Sequence, residues 1–347
     1  MQNILLVNLI FFSICFAITL SFIPKVISLG YKWNTKDFPD IRKKQERPLI
    51  RIGGLGIISA ITISTFLLLI FSFSTDIFIS SKFIISVLSI FFAFLIGFAD
   101  DIFSLSPYLR LAIQIILSSF CWSMGIQINE IYFPFLSFDI NLPEIISLLI
   151  TILWISGCIN ALNWVDGLDG LAGGYGFITS LGLIFFGVIY GNYDLSLLAA
   201  LISGGCLGFL PYNLHKNFEK KIIMGDGGSY LIGCGLALLT IQVPLNQNTS
   251  LNILYPLIFL AHPLIDMISV IFRRILKKKS PFRPDREHFH HRLKDLGFST
   301  FAINKYFLTT TLLLISLILS FNGISLEPIW LLFSILLSIF IFKFVKD

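Results

Sequence analysis

The sequence predicts an all-α, polytopic membrane protein that forms a single integral-membrane domain over residues 1–347. First, 56% of its residues are hydrophobic and 13% are charged, whereas a soluble domain is about 45–50% apolar and about 25% charged. Second, the apolar residues lie in long continuous runs, which predict helices, because barrel strands would alternate over about ten residues. Third, nearly all basic residues fall in alternate loops between these runs.

Eleven apolar runs loosely meet the requirement of about 20 residues for crossing the hydrocarbon core. The number falls to ten if the most marginal run, 229–243, does not cross. We interpret the first run as a transmembrane span and not as a signal peptide, because no basic segment precedes it and no cleavage motif follows it. The runs lie near residues 3–23, 52–72, 83–99, 108–125, 145–163, 172–190, 196–212, 229–243, 252–272, 306–322 and 327–343.

The distribution of Lys and Arg predicts the orientation of these spans. All of them except Lys82 lie in one alternate set of loops, mainly 24–51 and 273–305. Because positively charged loops stay in the cytoplasm, we expect an outside N-terminus and cytoplasmic charged loops in a bacterial inner membrane. Orientation and contact with lipid headgroups account for the basic residues, so we expect no nucleic-acid partner. The five Cys, each within an apolar run, are expected to be buried thiols.

Polar groups near the cytoplasmic ends of spans indicate the chemistry, because an Asp at the centre of a membrane helix costs about 2.5–3.5 kcal/mol. The first is the pair Asp100 and Asp101, which ends the third span and follows Gly97. Adjacent helical side chains point in different directions, so one carboxylate can face a metal or phosphate and the other a second substrate group. The alternative is a pair of solvated charges at a helix end.

The second group repeats amides and carboxylates every three residues. Asn160, Asn163, Asp166 and Asp169 are predicted to lie on one helical stripe as the fifth span reaches the interface. Glycines between and after them let the backbone approach a ligand closely. The stripe suits a hard divalent cation and hydrogen-bonding ligands, and the alternative is hydrogen bonding between helices.

The third group, at residues 224–229, places Gly225 and further glycines around Asp226 just before the eighth span. A carboxylate among glycines at a helix N-terminus favours binding of an anion or of a magnesium–phosphate group. An ordinary turn is the alternative. The segment is not a P-loop, because the Gly-Lys-Ser/Thr ending is missing.

The fourth group is a cationic segment that follows the ninth span. We predict that His288 and His291 share one helical face, with His290 turned away. Guanidinium groups bind phosphate in a bidentate manner, so the segment favours a phosphate or sugar-diphosphate ligand over the alternatives, a zinc site or a solvated loop. Its Arg and His residues are Arg273, Arg274, Arg283, Arg286, His288, His290 and His291.

Together, the four groups predict a phosphoryl-transfer site on the cytoplasmic face. They follow spans 3, 5, 7 and 9, so one topology places all of them on the same side. Their carboxylates, amides, Arg and His suit charge neutralisation together with Mg²⁺. A transporter is the alternative from another class, but it would place charge near the bilayer midplane and in repeated halves.

These segments closely resemble the signatures of one family, the polyprenyl-phosphate N-acetylhexosamine-1-phosphate transferases (the WecA type, sister to MraY), over about residues 24–300. Two stretches, 48–54 and 217–221, depart from the family's usual pattern, and neither contains a residue to which we assign chemistry. The matching segments, in order, are GFADD, NALNWVDGLDGLAGG, MGDGGS and SPFRPDREHFHH.

The resemblance implies an enzyme that transfers a sugar-1-phosphate from a UDP-N-acetylhexosamine to undecaprenyl phosphate and releases UMP. It implies Mg²⁺ as cofactor, with Mn²⁺ as the alternative ion, and a homodimer. UDP-GlcNAc is the first choice of donor, with UDP-FucNAc or UDP-QuiNAc as alternatives. The product would initiate a cell-surface polysaccharide such as O-antigen. An MraY-like transferase acting on UDP-MurNAc-pentapeptide is the alternative enzyme.

The resemblance also implies roles for single residues. Asp226 and Asn163 match positions that hold the metal, Asp100 matches the one that activates the lipid phosphate, and Asp169 matches one that contacts uracil. Arg274, like His288, matches a position that holds the diphosphate or the sugar. The predicted catalytic residues are Asp100, Asp101, Asp226 and His288. The predicted substrate-binding residues are Asn160, Asp166, Asp169, Gly225, Arg274, Arg286, His290 and His291.

Overall fold

The structure is a computed structural model, and it describes residues 2–37, 47–73, 79–133, 138–243, 254–280 and 287–321. Most of these residues are helical, which confirms the predicted all-α class. The strands are β1 (Lys36–Asp37), β2 (Leu49–Ile50), β3 (Glu130–Phe133) and β4 (Phe138–Asn141). The α-helices are α1 (Gln2–Lys32), α2 (Gly54–Phe73), α3 (Ser81–Phe103), α4 (Pro107–Ser123), α5 (Glu144–Val165), α6 (Leu171–Ile189), α7 (Tyr193–Asn213), α8 (Gly225–Ile241), α9 (Leu254–Phe259), α10 (Ala261–Leu276), α11 (Phe289–Asp295) and α12 (Thr300–Phe321).

Seven of the described helices are long and apolar enough to cross a membrane, namely α1, α2, α3, α5, α6, α7 and α12. Helices α4 and α8 have 17 residues each and coincide with two further predicted runs, 108–125 and 229–243. The last predicted run, 327–343, lies outside the described residues. A polytopic membrane protein is therefore confirmed, whereas eleven spans and an outside N-terminus stay predictions.

The predicted run 252–272 is not one continuous helix, because it breaks at Leu260 between α9 and α10. Pro263 has no backbone N–H and cannot donate to the carbonyl of Phe259, four residues earlier. That carbonyl accepts a hydrogen bond from the Tyr175 hydroxyl of α6 instead, at 2.7 Å. The break therefore follows from a proline whose missing hydrogen bond is replaced by a distant side chain.

Helix α8 lies at the centre of the bundle, where α3 and α5 make its most extensive contacts. Nearly all of its residues are buried. Glycines allow these helices to approach at the backbone: Gly97 of α3 faces the Asp226–Gly227 peptide, and Gly233 of α8 faces the backbone of Ile159 on α5. Such small-residue contacts are typical of helix packing in membranes.

The segment between α1 and α2 is tied to the segment that precedes α8. β1 pairs with β2 in an antiparallel manner, and Ile50 forms a parallel bridge with Ile222. The backbone N–H groups of Gly53 and Gly54 then donate to the carbonyls of Ile223 and Met224, at 2.9 and 2.8 Å. These bonds fix the loop that carries Arg51 beside the N-terminus of α8.

Large apolar side chains cover the outside of the bundle. Leu6, Leu9, Phe66, Ile116 and Leu153 are each between 57% and 70% exposed. A soluble protein rarely leaves so much apolar surface in water, so these side chains face lipid. The β3–β4 hairpin connects α4 to α5 at the end of the bundle opposite to the loop that carries Arg51.

We expect Gly97→Ala to destabilise the protein by about 1–3 kcal/mol, because the new methyl group would overlap backbone atoms at the start of α8. Gly157→Ala in α5 is the matched control, since its methyl group would meet only the flexible end of Met267, at 3.8 Å. The measurement is thermal unfolding of the purified protein in detergent. Equal melting temperatures for the two variants would contradict this account of α3–α8 packing.

Candidate active site

Asp101 holds the first turn of α8. Its two carboxylate oxygens accept hydrogen bonds from the backbone N–H groups of Asp226 and Gly227, at 2.9 and 3.0 Å. The Arg51 Nε atom lies 2.9 Å from the same carboxylate, whose side chain is 2% exposed. A carboxylate at a helix N-terminus satisfies backbone donors that have no partner within the helix. The geometry therefore gives Asp101, predicted as catalytic, the position of a capping group.

Gly225 is required by this arrangement. Its φ of +78° lies in the left-handed region that favours glycine. A Cβ atom there would lie 2.7 Å from Asp101 Oδ2 and would overlap the Arg51 carbonyl. The structure thus provides a conformational reason for Gly225, which the sequence predicts only as substrate-binding.

Asp226 and Asn163, the predicted metal-holding pair, are brought together. The Asn163 Nδ2 donates to Asp226 Oδ1 at 2.9 Å and lies 3.0 Å from the Ser229 hydroxyl. Arg51 Nη2 is 2.9 Å from Asp226 Oδ1, and Arg110 Nη1 is 4.0 Å from Asp226 Oδ2. The Asp226 carboxylate therefore faces an amide and two guanidinium groups.

Asp100 points to a different partner from Asp101, as the predicted divergence of adjacent helical residues requires. Its carboxylate forms an ion pair with Arg110, from the first turn of α4. One turn further along α4, Gln114 accepts a hydrogen bond from Asn160 at 2.6 Å. Asp100 and Asn160 therefore line the same side of the site as Arg110.

The predicted helical stripe of four polar residues is wrong beyond Asn163. Helix α5 ends at Val165, and Asp166 and Asp169 lie in the turn that leads to α6. Gly170 ends this turn with a φ of +80°, which the stripe prediction did not take into account. Asn160 and Asn163 lie on the helix, as predicted.

Asp169 is held at the edge of the site. Its carboxylate forms an ion pair with Lys221, and its backbone carbonyl accepts a hydrogen bond from Asn304 at 2.7 Å. The next residue, Gly170, donates its N–H to Asn213. The predicted contact of Asp169 with uracil stays a prediction.

In this turn, the pKa of Asp166 is shifted far from its ordinary value. Burial raises its pKa well above the ordinary value, and the nearby carboxylates of Asp226, Asp101 and Asp169 act in the same direction. Arg51 opposes them only in part. The folded protein therefore favours the neutral form of this carboxyl group.

The prediction that His290 turns away from His288 and His291 is wrong, although the rings of His288 and His291 are neighbours as predicted, with centroids 6.3 Å apart. Helix α11 begins at Phe289, so His288 precedes it, with a φ of −62° and a ψ of 146°. The rings of His288 and His290 stack with centroids 5.8 Å apart, and those of His290 and His291 are 4.3 Å apart. All three imidazoles therefore form one cluster.

His290 is the most deeply buried member of the cluster and packs against Gly167 of the turn after α5. Burial lowers the pKa of His290 to about 3, and His291 and His288 contribute to the same effect. His290 therefore remains neutral at ordinary pH, which favours packing over binding of an anion by charge.

His288 is held by a residue that the sequence analysis missed. The Asp266 carboxylate of α10 lies 2.8 Å from His288 Nδ1 and accepts a hydrogen bond from the Phe289 N–H at 2.8 Å. The edge of the His288 ring meets Trp164 at 5.2 Å between centroids. The Arg274 guanidinium lies 4.9 Å from the Trp164 ring centroid and is buried. Arg274 and His288 therefore flank one indole.

The described members of all four predicted groups lie near one another at one end of the bundle, as predicted. Arg286, a predicted substrate-binding residue, lies outside the described residues. From the sequence, Arg51, Arg110 and Lys221 contribute only to the predicted orientation, and Asp266 has no predicted role. Asp266 lies inside the predicted run 252–272, and a carboxylate in such a run was the available signal.

The donor atoms at Asp226 fit a hard divalent cation. Among the described residues, His, Cys, Asp and Glu form no group of three or more arranged to hold a metal. Mg²⁺, however, is commonly bound through one or two carboxylates together with water and substrate phosphates. The carboxylate oxygens of Asp226 and the neighbouring Asp100 match that requirement, and Asn163 would add its amide oxygen once the amide, which now donates to Asp226, is turned over.

The raised pKa of Asp166 predicts a pH-dependent stability. The folded state binds a proton that the unfolded state has released, so stability falls as pH rises above about 3.9, the ordinary Asp pKa. We expect Asp166→Asn to raise the melting temperature in EDTA, with a gain that grows between acidic and neutral pH. Asp194→Asn, at the other end of the bundle, controls for the loss of one carboxylate. A gain that is constant with pH would contradict the assignment.

Known proteins similar to this chain identify its family. A family model described as glycosyl transferase family 4 matches residues 83–244, the region that contains three of the four groups. A probable undecaprenyl-phosphate N-acetylglucosaminyl 1-phosphate transferase of Bacillus subtilis is 30% identical over 276 residues, covering 80% of this chain and 74% of the relative.

Two further relatives come from other bacteria. A decaprenyl-phosphate N-acetylglucosaminephosphotransferase of Mycolicibacterium smegmatis is 33% identical, covering 78% of this chain and 71% of the relative. An undecaprenyl-phosphate alpha-N-acetylglucosaminyl 1-phosphate transferase of Thermotoga maritima is 30% identical, covering 90% and 88%. At this level of identity and coverage, the chain belongs to glycosyl transferase family 4, the family of these polyprenyl-phosphate sugar-1-phosphate transferases.

Proposed function

We propose that this protein transfers N-acetylglucosamine-1-phosphate from UDP-GlcNAc to a polyprenyl phosphate, with undecaprenyl phosphate as the acceptor and UMP as the second product. The names of the relatives support this reaction. The observation that carries the proposal is the cluster of Asp100, Asp226, Asn163, Arg51 and Arg110, which places acidic and cationic groups within hydrogen-bonding or ion-pair distance.

Both substrates are anions, so the site must offset their mutual repulsion. Arg51 and Arg110 provide two guanidinium groups beside Asp226, and Arg274 and His288 both contact the Trp164 ring. Guanidinium groups bind phosphate through paired hydrogen bonds. We assign Arg274 and His288 to the diphosphate of the donor, since both adjoin the same indole.

Asp226 and Asn163 would hold Mg²⁺, with Asp100 as a nearby oxygen donor. When bound, Mg²⁺ neutralises negative charge on the donor diphosphate and makes UMP a better leaving group. Asp101 does not need to coordinate it, because both of its oxygens accept backbone N–H groups of α8. Asp101 instead keeps Asp226 in place.

The transfer itself requires little more than positioning. An oxygen of the polyprenyl phosphate attacks the phosphorus that carries the sugar, and the bond from that phosphorus to the bridging oxygen breaks, so UMP departs with this oxygen. The acceptor phosphate is already largely ionised near neutral pH, so direct in-line attack needs no strong base. We assign the Asp100–Arg110 pair to the attacking phosphate, with Arg110 as the group that binds it and Asp100 as the carboxylate that holds Arg110.

Helix α10 supports an acceptor with a long apolar chain. One face of this helix is exposed and apolar, with Ile265, Ile268 and Phe272 each at least 60% exposed. The opposite face carries the buried Asp266 and Arg274, which adjoin the site. An amphipathic helix of this kind brings a lipid-facing surface next to polar catalytic groups. We place the site on the cytoplasmic face of a bacterial inner membrane, in agreement with the charge of its loops.

The first test is release of UMP by the purified protein with Mg²⁺ and undecaprenyl phosphate. We expect release with UDP-GlcNAc, and a panel of radiolabelled UDP-sugars followed by lipid extraction tests the choice of sugar. Asp226→Asn should lower the rate by about 100-fold or more, because the central carboxylate is lost. Asp194→Asn is the control and should keep the rate. Lipid labelling from a different UDP-sugar alone would overturn the sugar, and labelling from none would overturn the reaction.

The second test concerns the metal. We expect EDTA to abolish UMP release and added Mg²⁺ to restore it. Binding of Mn²⁺ as a probe, followed by electron paramagnetic resonance without substrate, should be weakened in Asp226→Asn and Asn163→Ala and retained in Asp194→Asn. Full activity in EDTA, or equal Mn²⁺ binding by all variants, would exclude the proposed role of this pair.

A further inference from the structure

We propose that Asp266 is a positioning residue that keeps a proton on His288 Nδ1. It thereby fixes Nε2 as the ring nitrogen that meets the donor. The inference rests on the proposed function, because it takes the diphosphate of the nucleotide-sugar as the ligand of His288. It concerns a residue to which neither the motifs nor the chemistry above gives a role.

The Asp266 carboxylate is fully used by one short segment. One oxygen lies 2.8 Å from His288 Nδ1, and the other accepts the N–H of Phe289 at 2.8 Å. An ionised carboxylate can only accept hydrogen bonds, so Nδ1 is the protonated nitrogen. The two bonds together fix the ring and the start of α11 relative to α10.

Burial stabilises the pairing of Asp266 with His288 against alternative partners. Asp266 is 5% exposed and His288 is 7% exposed. A carboxylate at this depth is strongly destabilised when it loses its partners, so alternative orientations of the ring are disfavoured. The T-shaped contact with Trp164 and the stacking on His290 hold the imidazole from two further sides.

The consequence for the donor lies at the other nitrogen. With Nδ1 committed to Asp266, Nε2 lies on the opposite edge of the ring and is the atom available to a ligand. A diphosphate only accepts hydrogen bonds, so it requires a protonated His288 that donates from Nε2. Asp266 thus gives the His288 ring a fixed orientation, with Nδ1 facing a carboxylate and Nε2 on the opposite edge.

Asp266→Asn tests this with little change of shape. The amide oxygen can still accept the Phe289 N–H, but the amide nitrogen then faces His288 Nδ1 and donates to it. A neutral imidazole in this variant carries its proton on Nε2 and can donate from it only without charge assistance, and a protonated imidazole would face an amide N–H in place of the carboxylate. We expect kcat to fall about 10- to 100-fold, as when the outer partner of a functional histidine is removed, with the KM for undecaprenyl phosphate unchanged.

The matched controls separate positioning from folding. Ser269→Ala removes a hydroxyl that donates to the Asp266 carbonyl on the same helix and should keep kcat. Asp266→Glu retains a carboxylate and should recover part of the loss. The double variant Asp266→Asn/His288→Gln should lose no more than His288→Gln alone, because Asp266 acts through His288. If the kcat losses of the two single variants multiply in the double variant, the proposal is overturned. Such a result would mean that Asp266→Asn acts independently of His288, for example through a general folding defect.

A second readout does not depend on activity. Nuclear magnetic resonance of ¹⁵N-histidine-labelled protein distinguishes protonated from unprotonated ring nitrogens, and His288→Gln assigns the His288 signal. We expect a protonated Nδ1 at His288 in the unmodified protein and, in Asp266→Asn, a proton on Nε2 alone. An unprotonated Nδ1 in the unmodified protein would overturn the proposal even if Asp266→Asn does not fold. Absence of transfer from every UDP-sugar would instead overturn the proposed function, while the spectrum would still decide the state of His288.

Discussion

The structure depends on the binding of the α8 N-terminus by the Asp101 carboxylate. Two backbone N–H groups donate to this carboxylate, and Arg51 balances its charge. An uncompensated carboxylate at this depth would be strongly unfavourable, so the three elements that carry these groups must stay together. Asp226 belongs to the same first turn. The contact between its backbone N–H and Asp101, and not a contact of its own side chain, therefore places its carboxylate beside Asn163 and Arg110.

Charge balance explains how one site accommodates both cations and anions. Arg51 joins Asp101 to Asp226, and Arg110 joins Asp100 to Asp226, so every carboxylate in this cluster adjoins a guanidinium group. With Mg²⁺ as the proposed cofactor, an arriving cation would compete with the guanidinium groups for the carboxylates and would thereby make the guanidinium groups available to phosphate. A site with only carboxylates would repel the donor, and one with only guanidinium groups would not hold a divalent ion.

Sequence analysis predicted what depends on local pattern and membrane topology. Long apolar runs predicted the helices. Because alternate loops lie on the same side of the membrane, the sequence also predicted that Asp100, Asn163 and Asp226 would lie close together. It failed where a contact joins distant residues without a local pattern. The break at Leu260 needs the Tyr175 hydroxyl, and Arg51 gains its importance only from carboxylates that lie 50 and 175 positions further along the chain. The turn after Val165 was missed because the three-residue spacing of polar residues continues in the sequence beyond the end of the helix.

The location of a lipid-linked substrate explains why the polar residues lie at helix ends. A lipid-linked phosphate has its charged group at the membrane surface and its chain within the bilayer, so a site that serves it must join both environments. Helix α10 does this with two faces, since Ile268 and Phe272 are exposed as lipid-facing residues while Asp266 is buried toward His288. A displacement of α10 in response to a chain against its apolar face would move Asp266 as well, and with it the imidazole. The helix that meets the lipid is therefore mechanically connected to the histidine assigned to the donor.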